Sequence, residues 1–387
     1  MISIAIALIL TFLLLAQHPF GTYPLSLMAL RGLLRHPSNP PPPSTAVPRL
    51  AICMCAYNEA SVIAAKCENL MDLRRRHRDL EILAYVDGAT DETEQVLRRY
   101  EPAITVHASP ERRGKTHGMN LLVASCTADI VIFTDADVIL DPDVPERLSR
   151  YFADPEIGCV CGHVRQSGGN RSATAATGSL YWRLEERIKQ LESDLGSAVG
   201  ADGSLFAIRR ELHHPPPESI IDDMYVSLMI LLDGYRIVRA PDVHGYEAAT
   251  ERLGDEFRRK IRIACQAFTI HRMLWPRLQR CSLLTVYEYV SHKLLRWLCI
   301  FHLALAGVAA IVLLAAVDRL GEGLVVAAVA VAALAIAYRL RVPKVKQAVS
   351  ILAALTGAGI GVIRSLRGEQ FRTWPSTSSL RGTAESR

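Results

Sequence analysis

The strongest constraint on this 387-residue chain is how unevenly its apolar residues are placed: long apolar runs lie at both ends, and a charged body lies between them. Despite 44 Lys and Arg and 39 Asp and Glu its mean hydropathy is +0.17, and the apolar residues that raise it are concentrated in those runs. A 50% hydrophobic composition excludes a disordered chain. The net charge of +5 is mild and demands no nucleic-acid partner. Anionic lipid headgroups or a phosphate-bearing substrate suit it equally.

Met1 to Ala16 is almost wholly apolar, with no Lys or Arg before it and no clear small-residue cleavage site after it. Residues 1–35 are therefore expected to be a retained transmembrane anchor, with Arg31 and Arg35 holding the rest of the chain in the cytosol. Residues 36–48 are too proline-rich for helix or sheet and read as an extended linker. Near the other end, Trp297 to Val317 and Gly323 to Tyr338 flank the short Asp318 to Glu322, which suits a hairpin of membrane helices. The cluster Arg339, Arg341, Lys344 and Lys346 then returns the chain to the cytosolic side. Gln347 to Ile363 fits this topology poorly, because an outward crossing carries Arg364, Arg367 and Arg372 to the wrong face; its Gly357, Gly359 and Gly361 suit close packing on a neighbour. The expected layout is a cytosolic domain over 49–282, transmembrane or interfacial helices over 283–366 and a polar tail over 367–387. Such a protein is expected in the cell membrane, multi-pass, with lipids as partners.

From Leu50 the periodicity becomes that of an α/β domain. Leu50 to Ala56, Leu80 to Val86, Ala103 to His107 and Asp129 to Thr134 read as strands; Ser61 to Arg78, Thr93 to Tyr100 and Lys115 to Cys126 read as helices. This alternation predicts a largely parallel sheet covered on both faces, with ligands at the carboxyl ends of its strands. Nine scattered cysteines without C-x-x-C spacing are expected to be buried core thiols. Phe257 to Trp275 and Tyr181 to Leu195 have amphipathic spacing that suits either a core-facing stripe or a membrane surface.

Three apolar strands stop in polar clusters: Tyr57-Asn58-Glu59, Asp87-Gly88-Ala89-Thr90 and Asp135-Ala136-Asp137. Singly, each passes for a turn or a helix start. Asp135 and Asp137 are the most informative, because a spacing of two in an extended segment aims both carboxylates one way. Carboxylates that close repel, and a hard divalent cation, Mg²⁺ or Mn²⁺, relieves the repulsion while keeping sites for water and phosphate oxygens. Arg112-Arg113-Gly114-Lys115 opens a helix and suits phosphate, although it is not a Walker loop.

Taken in order, Tyr57-Asn58-Glu59, Asp87-Gly88, Gly114-Lys115 with Asn120, and Thr134-Asp135-Ala136-Asp137 resemble the inverting family-2 glycosyltransferases. The likeness is to the membrane-embedded synthase branch that includes chitin, hyaluronan and poly-N-acetylglucosamine synthases. Gly200-Ala201-Asp202-Gly203-Ser204 with Arg209-Arg210 resembles that family's acceptor-side glycine segment, and Ile221-Asp222-Asp223 its catalytic-base motif. The resemblance implies a nucleotide-sugar-binding GT-A fold, α/β with a mostly parallel central sheet. It implies Tyr57, Glu59 and Asp87 near base and ribose, Lys115 and Asn120 on the donor side, Asp135 and Asp137 at diphosphate and metal, Gly203 at the acceptor and Asp223 as base. Where processive members carry Gln-x-x-Arg-Trp, this chain has Arg259-Lys260-Ile261-Arg262-Ile263, keeping an arginine for diphosphate but lacking the tryptophan. The implied activity is metal-assisted transfer of a sugar from a nucleotide diphosphate, most often UDP in this family, to a glycan or to a polyprenyl or other lipid-linked acceptor. The alternative is a non-catalytic nucleotide-binding subunit of a polysaccharide assembly or export complex.

Overall fold

A computed structural model describes residues 1–33, 48–167, 173–248, 253–340, 342–371 and 373. All but the last residue of the expected linker lies outside them. The strands are β1 (Leu50–Ala56), β2 (Glu81–Asp87), β3 (Thr105–Ser109), β4 (Ile130–Asp135), β5 (Ile139–Leu140), β6 (Ile157–Ser167), β7 (Leu205–Arg209) and β8 (Arg236–Ala248). They form one sheet in the order β3-β2-β1-β4-β7-β6-β8-β5. The helices are α1 (Ile2–Gln17), α2 (Thr22–Leu33), α3 (Ile63–Arg76), α4 (Thr93–Arg98), α5 (Lys115–Ser125), α6 (Val144–Tyr151), α7 (Ala173–Leu195) and α8 (Asp222–Leu232). They continue as α9 (Leu253–Leu278), α10 (Leu283–Tyr289), α11 (Leu295–Ala316), α12 (Leu320–Arg339) and α13 (Pro343–Leu366).

The wing β3-β2-β1-β4 is parallel throughout. Beyond it, β7 runs antiparallel to β4 and β6, β5 runs antiparallel to β8, and only β6 and β8 pair in parallel. The sheet is therefore mixed: among the described residues, four of its seven neighbour pairs are parallel and three antiparallel. The reason lies in where β7 starts. Leu205 sits opposite Thr134 at the carboxyl end of β4, so a strand that begins there runs back down the sheet.

The continuous apolar runs are buried on both faces, as parallel strands require. Ile52, Met54, Ile82, Ala84 and Ile132 meet Ile63, Cys67, Leu70 and Leu73 of α3 on one face. Ala51, Cys53, Tyr85, Val131 and Phe133 meet Met119 and Leu122 of α5 and Val226 and Ile230 of α8 on the other. Eight of the nine cysteines are buried and all nine are free thiols, as their scattered spacing predicts. The stripe of α9 also faces inward: Ile261, Ala264, Cys265 and Phe268 are buried, while Met273 stays exposed.

The expected N-terminal anchor is not one straight span. α1 and α2 meet at a 65° bend. At about 1.5 Å per residue, the 16 residues of α1 reach about 24 Å, short of a hydrocarbon core of about 30 Å. α2 belongs to the body instead, with Tyr23 and Leu27 buried against Ile188, Leu191 and Leu195 of α7. Among the described residues, Leu283–Ala316, Leu320–Arg339 and Pro343–Leu366 are each long and apolar enough to cross a membrane. A π-helical turn at Val290–Leu294 interrupts the first of these. The glycines of α13 do lie in close contacts: a Cβ on Gly359 would stand 2.3 Å from Ile300 Cγ2, and one on Gly361 2.6 Å from the Ile261 carbonyl oxygen. Small residues there let α13 lie against α9 and α11.

Candidate active site

The polar clusters of β1, β2 and β4 gather at one end of the sheet, where β7 also begins. At the end of β2, Asp87 is wholly buried. Its Oδ1 accepts from the backbone N–H groups of Arg113 (2.7 Å) and Gly114 (3.0 Å), and Arg112 Nε lies 3.7 Å from its Oδ2. Gly88 makes this possible: its φ of +61° belongs to the left-handed region, and a Cβ would come within 2.9 Å of the Arg112 nitrogen. The Arg112 guanidinium lies over the Tyr57 ring, 3.5 Å from its centroid, a cation–π contact. Asn58, also at positive φ, accepts from the Thr90 N–H at 2.8 Å and so ties the ends of β1 and β2 together.

Lys115, the first residue of α5, donates to Asp135 Oδ1 at 2.5 Å and to the Gly203 carbonyl at 3.4 Å. Burial alone would lower its pKa, but Asp135, Asp222 and Asp223 outweigh burial and hold it above the ordinary lysine value. Gly203 approaches Asp223 so closely that a Cβ would stand 2.8 Å from Asp223 Oδ2. Asp223 lies in the first turn of α8 and accepts from the Met224 N–H at 2.7 Å. A helix amino end favours the charged form, yet burial and the neighbouring Asp222 push the Asp223 carboxyl up to about 7. Burial, then repulsion from Asp135, raises Asp137 as well. Glu59 is pushed up to about 8 by burial and by Asp137, Asp135 and Asp91, which makes it part of the same acidic pocket.

Residues 51–214 match the model of Glycosyl transferase family 2. The chain carries a family-2 glycosyl transferase domain. Its relatives include a poly-beta-1,6-N-acetyl-D-glucosamine synthase of Staphylococcus aureus, 26% identical over 228 residues, which are 56% of this chain and 53% of the relative. An N-acetylglucosaminyltransferase of Rhizobium sp. is 24% identical over 240 residues, 57% of this chain and 53% of the relative. The chain thus spans about half the length of these curated relatives. A mannosyltransferase from Pyrobaculum calidifontis, solved in complex with GDP-Man and Mn2+, superposes with a TM-score of 0.71 and 24% identity, covering 94% of this chain and 99% of the other. That likeness shows the GT-A fold.

Tyr57, Glu59, Asp87, Lys115, Asp135, Asp137 and Gly203 of the matched segment, with Asp223 just beyond it, lie at this end of the sheet. Arg262 on α9 joins them. It is half-buried, and burial and Arg259 lower its pKa while Asp223 and Asp222 act the other way. Arg259, one turn earlier, is exposed. Asn120 points elsewhere: its Nδ2 donates to the Pro216 carbonyl at 2.9 Å and pins the loop before α8.

Two buried lysines and a half-buried asparagine escape the motif reading. Lys189 of α7 pairs with Asp202 and lies 3.6 Å from Glu185, which in turn pairs with His292 and Arg296 beside the π-helical turn. Lys66 and Asn69 of α3 hold the far side of the Asp135–Asp137 turn. Lys66 had a visible signal, since it stands three residues after Ile63 and four before Leu70, on the apolar stripe. A cavity of about 570 Å³ lined by Arg236, Arg277 and Arg280 contains none of the residues named for the chemistry.

Proposed function

We propose that the protein is a membrane-bound inverting glycosyltransferase that moves a sugar from a nucleotide diphosphate, UDP being the family's commonest, to a glycan or lipid-linked acceptor at the cytosolic face. One observation carries this reading: Lys115 bridges Asp135 on β4 and the carbonyl of Gly203, which itself abuts Asp223. Residues suited to a diphosphate and a carboxylate suited to a hydroxyl proton thus stand side by side. The membrane-length apolar helices and the exposed Leu324, Val325, Val326 and Val329 of α12 speak for a bilayer partner.

Tyr57, Arg112 and Asp87 would hold the nucleoside, by stacking and by hydrogen bonding at a carboxylate already oriented by two N–H groups. The Lys115 ammonium and the Arg262 guanidinium would face the diphosphate. Among the described residues, no three or more His, Cys, Asp or Glu side chains are grouped to hold a metal by themselves. Asp135 and Asp137 nonetheless fit Mg²⁺ or Mn²⁺, which usually takes one or two carboxylates and completes its shell with water and phosphate oxygens. Held there, such an ion would offset charge on the departing diphosphate. The acceptor hydroxyl would lose its proton to Asp223, whose pKa of about 7 matches the working range of a general base. A single displacement inverts the anomeric centre, since no second carboxylate is assigned as a nucleophile.

The full-length protein, offered UDP- and GDP-sugars with Mn²⁺ or Mg²⁺, should release nucleotide diphosphate and stop when the metal is chelated. A protein that binds nucleotide but never turns over would instead be the non-catalytic subunit of an assembly or export complex.

A further inference from the structure

The turn that carries Asp135 and Asp137 is gripped from beneath by α3. Lys66 Nζ donates to Thr134 Oγ1 at 3.2 Å and to the Val138 carbonyl, contacts on either side of the turn. One helical turn later, Asn69 closes a two-bond ring with Leu140: its Nδ2 donates to the Leu140 carbonyl at 2.8 Å, and its Oδ1 accepts from the Leu140 N–H at 2.9 Å. Residues three apart on a helix share a face, so the two side chains form one staple over positions 134–140. Lys66 and Thr134 are wholly buried. The turn's own backbone supplies a single bond, from the Val138 N–H to the Asp135 carbonyl at 3.3 Å.

A wholly buried lysine needs a reason. Its amine is spent wholly on the turn: taking Lys66 away would leave the Thr134 hydroxyl and the Val138 carbonyl without their donor. Without an outside grip, the repulsion between two neighbouring carboxylates would spread the turn.

We infer that Lys66 and Asn69 are positioning residues, a staple that holds Asp135 and Asp137 converged for a divalent cation. The inference rests on the reading of that pair as the cation site. It also fixes a sign. Were Lys66 acting only through its charge, removing it would make the pocket more negative and tighten cation binding. A residue that acts by position does the reverse, and loss of a partner that orients metal ligands typically costs about 10–100-fold in affinity.

The experiment is Mn²⁺ titration followed by electron paramagnetic resonance on the full-length protein, with saturating UDP and, in parallel, saturating GDP. It compares the native protein with Lys66→Met and Asn69→Ala, and records thermal unfolding of each. The expected result is a Kd for Mn²⁺ raised about tenfold or more in Lys66→Met, and raised in Asn69→Ala, with each variant still unfolding in one cooperative transition, Lys66→Met below the native protein. Equal or tighter Mn²⁺ binding in Lys66→Met overturns the staple. Should Lys66→Met fail to fold, Asn69→Ala alone decides, and unchanged binding there overturns it. If the native protein itself binds no Mn²⁺ with either nucleotide, the cation-site reading has failed and takes the staple with it.

Discussion

The two sides of the cleft treat a carboxylate in opposite ways. Asp87 receives two backbone N–H groups and has arginine beside it, an arrangement that fixes the direction of its side chain. Asp223 receives one N–H and has Asp222 as its neighbour, so burial and repulsion bring its pKa to about 7. Under the proposed function, the first environment suits holding a ligand and the second suits gaining and losing a proton. The motifs look alike on paper, and only their surroundings assign different work to them.

The largest effect expected is at Asp223. Asp223→Asn removes the proton acceptor while keeping the shape, and transfer should fall by about 10²–10⁴-fold, read as nucleotide diphosphate release; transfer near the native rate would remove the acceptor side from the comparison. Next comes Asp137→Ala, expected to lower metal-dependent turnover about a hundredfold, the equivalent of about 2.7 kcal/mol of charge stabilisation. Full Mn²⁺ activation of that variant would break the assignment of the acidic pair. The pH profile should sharpen the contrast further. A base must be deprotonated to work, so the rate should rise as pH passes through about 7 and level off above it. The smallest effect is a shift of that midpoint. Asp222 raises the Asp223 pKa, so Asp222→Asn should move the rising limb to lower pH; a limb that stays put or moves up would show that Asp222 does not set it.

The donor side was the more legible of the two, for a physical reason. Its strands are buried on both faces and read as unbroken apolar runs, so Leu50–Ala56 and Lys115–Ser125 appear almost residue for residue, with the polar clusters at their ends. Strand direction is not written in such a run. The reversal at β7 follows from a tertiary fact, the placement of the 200–204 segment above β4, and no local pattern announces it. The bend between α1 and α2 was equally hidden, because apolar composition records burial in protein and in lipid alike. Asp223 was visible as a residue, but its elevated pKa was not: a helix amino end argues for a low value, and only the packed surroundings reverse it. Lys66 lay in plain sight on an apolar stripe, where a charged residue signals a buried partner.

The account stands or falls on the split between the two carboxylates, and steady-state kinetics of Asp87→Asn and Asp223→Asn on the full-length protein measure it most directly. Asp87→Asn should raise the KM for the nucleotide sugar about tenfold, as expected for losing hydrogen bonds to a charged group worth about 1.5–3 kcal/mol, with kcat near native. Asp223→Asn should lower kcat and leave the donor KM where it was. If both variants move the same parameter, or each moves the other's, the division of the cleft into a holding side and a proton-accepting side is wrong.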